Sequence, residues 1–221
     1  MIEPGFGVSI PRLYAYHRAL RQAEAAGKTT ITSHDLAALL GHTIASTQIR
    51  KDLCALGALG RRGHGYAIAP LTAQLAWVLG LENDWRIAIV GFGYLGHAFA
   101  TFISAREKRF HVVAVFDTSA NVIGQVWQGV LVHDIAEAPR VLRSCGCEIG
   151  VIAVPAEAAE EVAECLAALG VRAILNFAPT TLHLPASERA PVIVRNIDLA
   201  GELSILTHRL TIGTLPTVEE A

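Results

Sequence analysis

The sequence predicts an α/β chain in two parts, a small helical domain followed by a doubly wound parallel sheet, and three observations carry that expectation. The apolar stretches "RIAIV", "HVVAVF", "EIGVIAV" and "RAILNFA" lack strict alternation, as strands covered on both faces do, and helical stretches near 94–105 and 156–169 separate them. Ahead of them lies a segment of helical periodicity that closes on the glycine-rich "GRRGHGYAI". Charge divides the same way: residues 1–70 hold eight Lys and Arg against four Asp and Glu, and residues 71–221 hold ten against sixteen.

At 221 residues the chain is long enough for one large domain plus one small one, and 52% hydrophobic residues suffice for a core. The first twenty residues lack a basic start followed by an apolar run, and Pro, Gly or charge interrupts every later apolar stretch, so a cytoplasmic protein is expected. Cys54, Cys145, Cys147 and Cys165 form no disulfide framework and no zinc spacing, and the nine histidines are scattered, so reduced thiols and no metal site are expected.

The elements follow in order. "RLYAYHRALRQAEAAG" is a helical pattern that stops at Gly27, and "ITSHDLAALLG" opens with Thr32 and Asp35 at capping-box spacing and closes on Gly41. A third helix is expected over about Ile44 to Leu56. Ile49, Leu53 and Leu56 make its buried stripe, which turns Thr47, Arg50, Lys51 and Cys54 outward. Two short helices joined by a turn that contains Gly read as a helix-turn-helix, whose second helix usually lies in the DNA major groove. "GRRGHGYAI" then supplies a turn between short strands, so the whole reads as a winged helix. Arg50 suits a bidentate contact to guanine; Lys51, Arg61 and Arg62 suit phosphates. Thr47, Gln48, Gly63, Gly65 and Tyr66 complete the expected DNA-binding set. The alternative is that these cations only solvate a surface helix. "PLTAQLAWVLGLENDW" reads as a connecting helix with Leu71, Leu75 and Val78 on one face, and the second domain begins near Trp85.

Gly91, Gly93 and Gly96 form GxGxxG between a strand that ends at Val90 and a helix that begins near Tyr94, and Asp117 ends the next strand. In a Rossmann turn the first glycine permits the bend, the second admits the pyrophosphate and the third lets helix pack on strand, while the helix N-terminus faces the phosphates. Asp117 can accept from the adenosine ribose. No arginine follows at 118–121 to meet a 2′-phosphate, so NAD(H) is expected over NADP(H). A glycine turn used only for packing is the alternative. A dehydrogenase is the poorer reading: only 104 residues follow Asp117, there is no lysine beyond Lys108, and His133, His183 and His208 stand alone.

The motifs "QIRKDL", "GRRGHGY", "GFGYLG", "VFD", "VPAEAA", "ILNFAP" and "NIDLAGEL", in this order across the whole chain, resemble the Rex family of redox-sensing transcriptional repressors. The resemblance implies an α/β homodimer with a winged-helix domain over 1–81, an NAD-binding Rossmann domain over 82–197, a C-terminal domain-swapped helix over 198–213 and a tail over 214–221. It implies a repressor that is not an enzyme, bound to an inverted-repeat operator and released when NADH, rather than NAD⁺, occupies the Rossmann domain. By motif, Gly91, Phe92, Gly93, Tyr94, Leu95, Gly96 and Asp117 would hold the cofactor, with Val154, Pro155, Asn176, Phe177, Ala178 and Pro179 along the nicotinamide side; Asp198, which opens the swapped helix, joins the cofactor-binding set. Arg12, Phe102 and Asp198 would form the switch, Arg12 pairing with Asp198 in the DNA-competent form. Three departures stand out: Phe102 replaces a tyrosine, the turn "GHTIAS" is longer than usual, and "FISAREKRF" lacks the family's "YPGF" form.

Leu199, Leu203, Leu206 and Leu210 make an apolar stripe that begins at Asp198, a reasonable N-cap, and such a stripe needs either a partner surface or a place in this chain's own core. Two other readings remain, a small NAD-dependent oxidoreductase and a CoA-binding Rossmann protein. Neither explains the basic wing.

Overall fold

The computed structural model describes residues 8–58, 60, 64–184 and 191–213, with only the backbone at 209, 212 and 213. The chain divides into two compact units between Asn83 and Asp84.

The first unit is built on four helices. Helix α1 (Ile10–Ala25) starts on Pro11, whose fixed φ suits a first turn, and buries Leu13, Tyr16 and Leu20. Strand β1 (Thr30–Ile31) leads into α2 (Ser33–Leu39), where the capping box forms: the Thr32 hydroxyl accepts from the Asp35 amide at 3.1 Å, and the Asp35 carboxylate accepts from the Thr32 amide at 3.4 Å. Gly41 and His42 then both take left-handed backbone, φ 63° and 56°, and Ala45 is extended, so α3 (Ser46–Ala55) begins two residues later than its apolar pattern suggests. Strand β2 (Tyr66–Ala67) pairs antiparallel with β1, Ile31 opposite Tyr66. The wing strand is therefore anchored on the strand before α2; among the described residues no strand lies just ahead of the turn, where one was expected. Helix α4 (Ile68–Val78) is more than a connector. It packs along α1 and buries Ile68, Leu71 and Leu75 in the same cluster as Leu20, Leu36, Ile49 and Leu53.

The second unit is a seven-stranded sheet: β3 (Trp85–Val90), β4 (Phe110–Asp117), β5 (Val126–Trp127), β6 (Val130–Asp134), β7 (Ile149–Ile152), β8 (Ala173–Asn176) and β9 (Ile193–Asn196). The order is β5-β6-β4-β3-β7-β8-β9, parallel except for the β5-β6 hairpin. From β6 onward this is the doubly wound order, with its topological switch between β3 and β7. Helices α5 (Tyr94–Arg106), α6 (Ala138–Cys145) and α7 (Ala156–Ala168) supply the crossovers. Ala88 and Val90 face a cluster that includes Val141, Leu142, Val162 and Leu166; Ile87 and Ile89 face another with Phe92, Ala100 and Ile103. Burial on both faces is why the strands show no alternation. Strands β5, β6 and β9 and helix α6 were not foreseen in the sequence.

Helix α8 (Leu199–Gly213) closes the described chain. Leu199, Leu203, Ile205, Leu206 and Leu210 are all at least 49% exposed. Among the described residues no membrane-length apolar helix occurs.

Candidate nucleotide cleft and nucleic-acid face

On α3 the stripe is as the period demands: Ile49 and Leu53 are fully buried and Leu56 nearly so, while Thr47, Arg50, Lys51 and Cys54 are exposed and border one shallow surface with Ala55. Among the described residues neither Arg50 nor Lys51 forms an ion pair, so their charge is free to meet an external anion. Gly65, at φ 74°, lies so close to β1 that a Cβ would sit 2.2 Å from the Ile31 carbonyl oxygen. Tyr66 is half-buried beside it. Burial pushes its phenol up in pKa, against the opposing charge of Arg50. Arg61, Arg62 and Gly63 lie outside the described residues.

Beneath this face sits a group that the sequence reading passed over. Asp52, 3% exposed, accepts from Arg12 Nε at 2.7 Å and Nη2 at 2.9 Å, from the Tyr16 hydroxyl at 2.7 Å and from Gln48 Nε2 at 2.7 Å. Burial raises its pKa, but the hydrogen bonds from Arg12, Tyr16 and Gln48 outweigh that and hold it below the ordinary carboxylate value. Two of the expected site residues are drawn into this cluster. Gln48, expected as a DNA contact, has its amide nitrogen committed to Asp52, which leaves its carbonyl oxygen as the end that is not. Arg12, expected in the switch with Asp198, forks its guanidinium onto Asp52 within this chain, because a buried carboxylate demands a cation. The available signal was position: Asp52 falls on the i, i+3, i+4, i+7 row with Ile49, Leu53 and Leu56, where a carboxylate needs partners.

In the second unit the turn from β3 to α5 shows three glycines in three roles. Gly91 has φ 92°, and a Cβ there would come 2.4 Å from the Ala153 carbonyl oxygen at the end of β7. At Gly96 a Cβ would lie 1.9 Å from the Gly91 carbonyl oxygen. Both are required by packing. Gly93 is different: it has φ −71°, caps α5 without a side chain, and a Cβ there would meet nothing within 4 Å. A turn used only for packing gives no reason for glycine at that point, whereas a bulky anion approaching the first-turn amides does. The cleft at this switch point is lined by Gly91, Gly93, Asp117, Thr118, Val154 and Pro155, among others. Asp117 Oδ1 accepts from the Thr118 and Ser119 amides, each at 2.8 Å, and Oδ2 from the Phe92 amide at 2.6 Å. One acceptor position on Oδ2 thus remains for a hydroxyl.

The other expected ligand residues have these surroundings. Phe92 is 7% exposed, its ring edge-on to His97 and Trp127, so its side chain belongs to the core. Tyr94 is wholly exposed and Leu95 partly so at the start of α5. Asn176 is fully buried and its amide is spent internally: it donates to the Thr180 carbonyl at 2.8 Å and Asn196 Oδ1 at 2.9 Å and accepts from the Ala178 amide at 2.9 Å. These bonds tie β8 to β9. Phe177 packs on Phe99, ring centroids 5.4 Å apart. Phe102 is 57% exposed on α5. Asp198 caps α8, accepting from the Gly201 amide at 2.8 Å. Among the described residues no cluster of His, Cys, Asp and Glu could hold a metal ion.

Two family models match the chain, "CoA binding domain" over residues 82–180 and "Putative DNA-binding protein N-terminus" over residues 8–54. The redox-sensing transcriptional repressor Rex of Carboxydothermus hydrogenoformans is 41% identical, over 91% of this chain and 94% of its own. The redox-sensing transcriptional repressor Rex 1 of Thermotoga maritima is 36% identical, over 90% and 92%. Among solved structures, the Rex-family repressor RSP in complex with β-NAD⁺ and operator DNA superposes with a TM-score of 0.84 at 31% identity, covering 93% of this chain and 94% of that one. RSP in complex with β-NADH gives 0.80 at 30%, covering 94% and 96%.

Proposed function

Because this chain belongs to the Rex family of redox-sensing transcriptional repressors, we propose that it represses transcription from an inverted-repeat operator and that NADH in the β3-β7 cleft releases it. The observation that carries the reading is the pairing, in one chain, of an uncompensated cationic helix face with a glycine turn held open at Gly93. Arg50 reads a base edge; Lys51, with Arg61 and Arg62, holds phosphates. The first-turn amides of α5 receive the pyrophosphate and Asp117 a ribose hydroxyl, with Val154 and Pro155 farther along the same wall. Bound there, the dinucleotide supplies a reporter of redox state: its two forms differ by one positive charge on the nicotinamide ring, and an apolar wall distinguishes them by desolvation cost.

The operating form is a homodimer in the cytoplasm. A second copy covers the apolar face of α8, which exposes five large apolar residues, and sets two α3 helices over half-sites about one DNA turn apart. No hydride transfer belongs to this reading, and the relatives are named as repressors.

Fluorescence anisotropy of a labelled inverted-repeat duplex, titrated with the chain at fixed salt, tests it. Release by NADH and retention with NAD⁺ is the expected result. DNA binding indifferent to NADH refutes the sensor half. A CoA titration decides the other nucleotide reading, which the match to the CoA-binding model favours: displacement of NADH by CoA would reassign the cleft.

A further inference from the structure

Resting on the operator-binding reading, a narrower question is what orients the reading face. Helix α3 carries its basic residues on one side and, on the other, a carboxylate whose two oxygens are saturated. Oδ2 takes Arg12 Nε and the Tyr16 hydroxyl; Oδ1 takes Arg12 Nη2 and Gln48 Nε2. Three of the four donors come from α1 and the fourth from α3 itself. The cluster therefore fixes how α3 is rotated about its axis relative to α1. That rotation matters, since Arg50 and Lys51 directly precede Asp52 and swing with it.

The cluster also decides a chemical identity. An ionised carboxylate only accepts, so the end of the Gln48 amide turned to it must be the nitrogen. The carbonyl oxygen Oε1 is then the end not committed to Asp52. Gln48 is half-buried in the first turn of α3, next to exposed Thr47. A free glutamine reads adenine with donor and acceptor together. A glutamine with its nitrogen committed offers an acceptor alone, which pairs with the exocyclic amine of adenine or cytosine and is repelled by the major-groove oxygens of guanine and thymine.

We propose that Asp52 is a positioning residue for sequence reading: it fixes the rotation of α3 against α1 and holds the Gln48 amide so that its acceptor oxygen selects an exocyclic amine on a base edge. The residue touches no DNA itself.

The test uses the full chain. A preferred duplex is selected from a randomised pool with the wild-type protein. Affinities for that duplex and for a scrambled one are then measured at one salt concentration for wild type, Asp52→Asn and Tyr16→Phe, alongside NADH affinity. Selective affinity is expected to fall roughly ten- to hundredfold in D52N, the size of a lost base discrimination. Y16F falls less, while scrambled-duplex and NADH affinities stay put. Selection repeated with D52N is expected to admit guanine or thymine where the wild type requires adenine or cytosine. Parallel loss of selective and scrambled binding with a lowered Tm makes Asp52 a packing residue and overturns the inference. Wild-type selectivity in both variants overturns it equally. Should D52N not fold, Y16F, which keeps the buried ring, decides by the same ratio. A wild-type chain that prefers no duplex refutes the operator reading itself, a failure recognisable because it appears before any substitution.

Discussion

Gly93 and Gly96 stand one helical turn apart and need glycine for opposite reasons, which makes them separable by experiment. At Gly96 an added methyl meets the Gly91 carbonyl at 1.9 Å, so Gly96→Ala must displace the turn and is expected to cost about 2 kcal/mol or more of stability. Gly93→Ala meets open space at an ordinary φ, so its Tm should match wild type. Its NADH affinity should nevertheless fall by about tenfold or more, because the methyl stands where the pyrophosphate approaches. Calorimetric unfolding and NADH titration of both variants check this; a Gly93→Ala protein that binds NADH normally would remove the phosphate from that turn. Asp52 makes a pH prediction. Its pKa is depressed on folding, so the stability it contributes is present above the ordinary carboxylate pKa of about 4 and is lost as pH falls below that. Tm should drop more between pH 7 and pH 3 in wild type than in D52N, whose asparagine does not titrate.

Elements with the clearest periodicity were legible in the sequence, and those that depend on a neighbour were not. The buried stripe of α3 and the Thr32–Asp35 box followed from spacing alone. Strands β6 and β9 escaped because each sits toward an edge of the sheet, paired to a strand already counted, with Val132 as the one buried residue between them. Helix α4 shows its apolar face in the sequence, but a single face does not say which surface it will meet; α1 supplied that surface. Helix α8 poses the same question with the partner left over. Its leucines lie exposed in a single chain, so replacing Leu203 and Leu206 with glutamate should leave the monomer folded while abolishing the dimer. Sedimentation velocity reads the outcome, and a double variant that still dimerises would move the interface away from α8.

For the molecule as a whole, the claim is that two ligands share one equilibrium. If NADH lowers operator affinity by some factor, operator DNA must lower NADH affinity by the same factor. NADH titrations with and without saturating operator duplex, at one salt concentration, should return the two numbers equal within error, typically between about fivefold and 150-fold. Unequal factors would mean that the two ligands act on different populations, such as monomer and dimer.

By itself the sequence determined what short range can determine. Helical and strand periods set the order of elements, a capping box and glycines set turns, and the spacing of Gly91, Gly93, Gly96 and Asp117 marked the candidate nucleotide cleft. Tertiary structure decided the partners of polar groups. It drew Arg12 and Tyr16, 40 and 36 residues away, onto Asp52, committed the Gln48 nitrogen beneath the DNA face, and closed Asn176 onto Asn196. The physical reason is that periodicity states which face of an element is apolar but not which donor will stand opposite a given acceptor. A buried polar group must be satisfied, and only the packed chain settles by what.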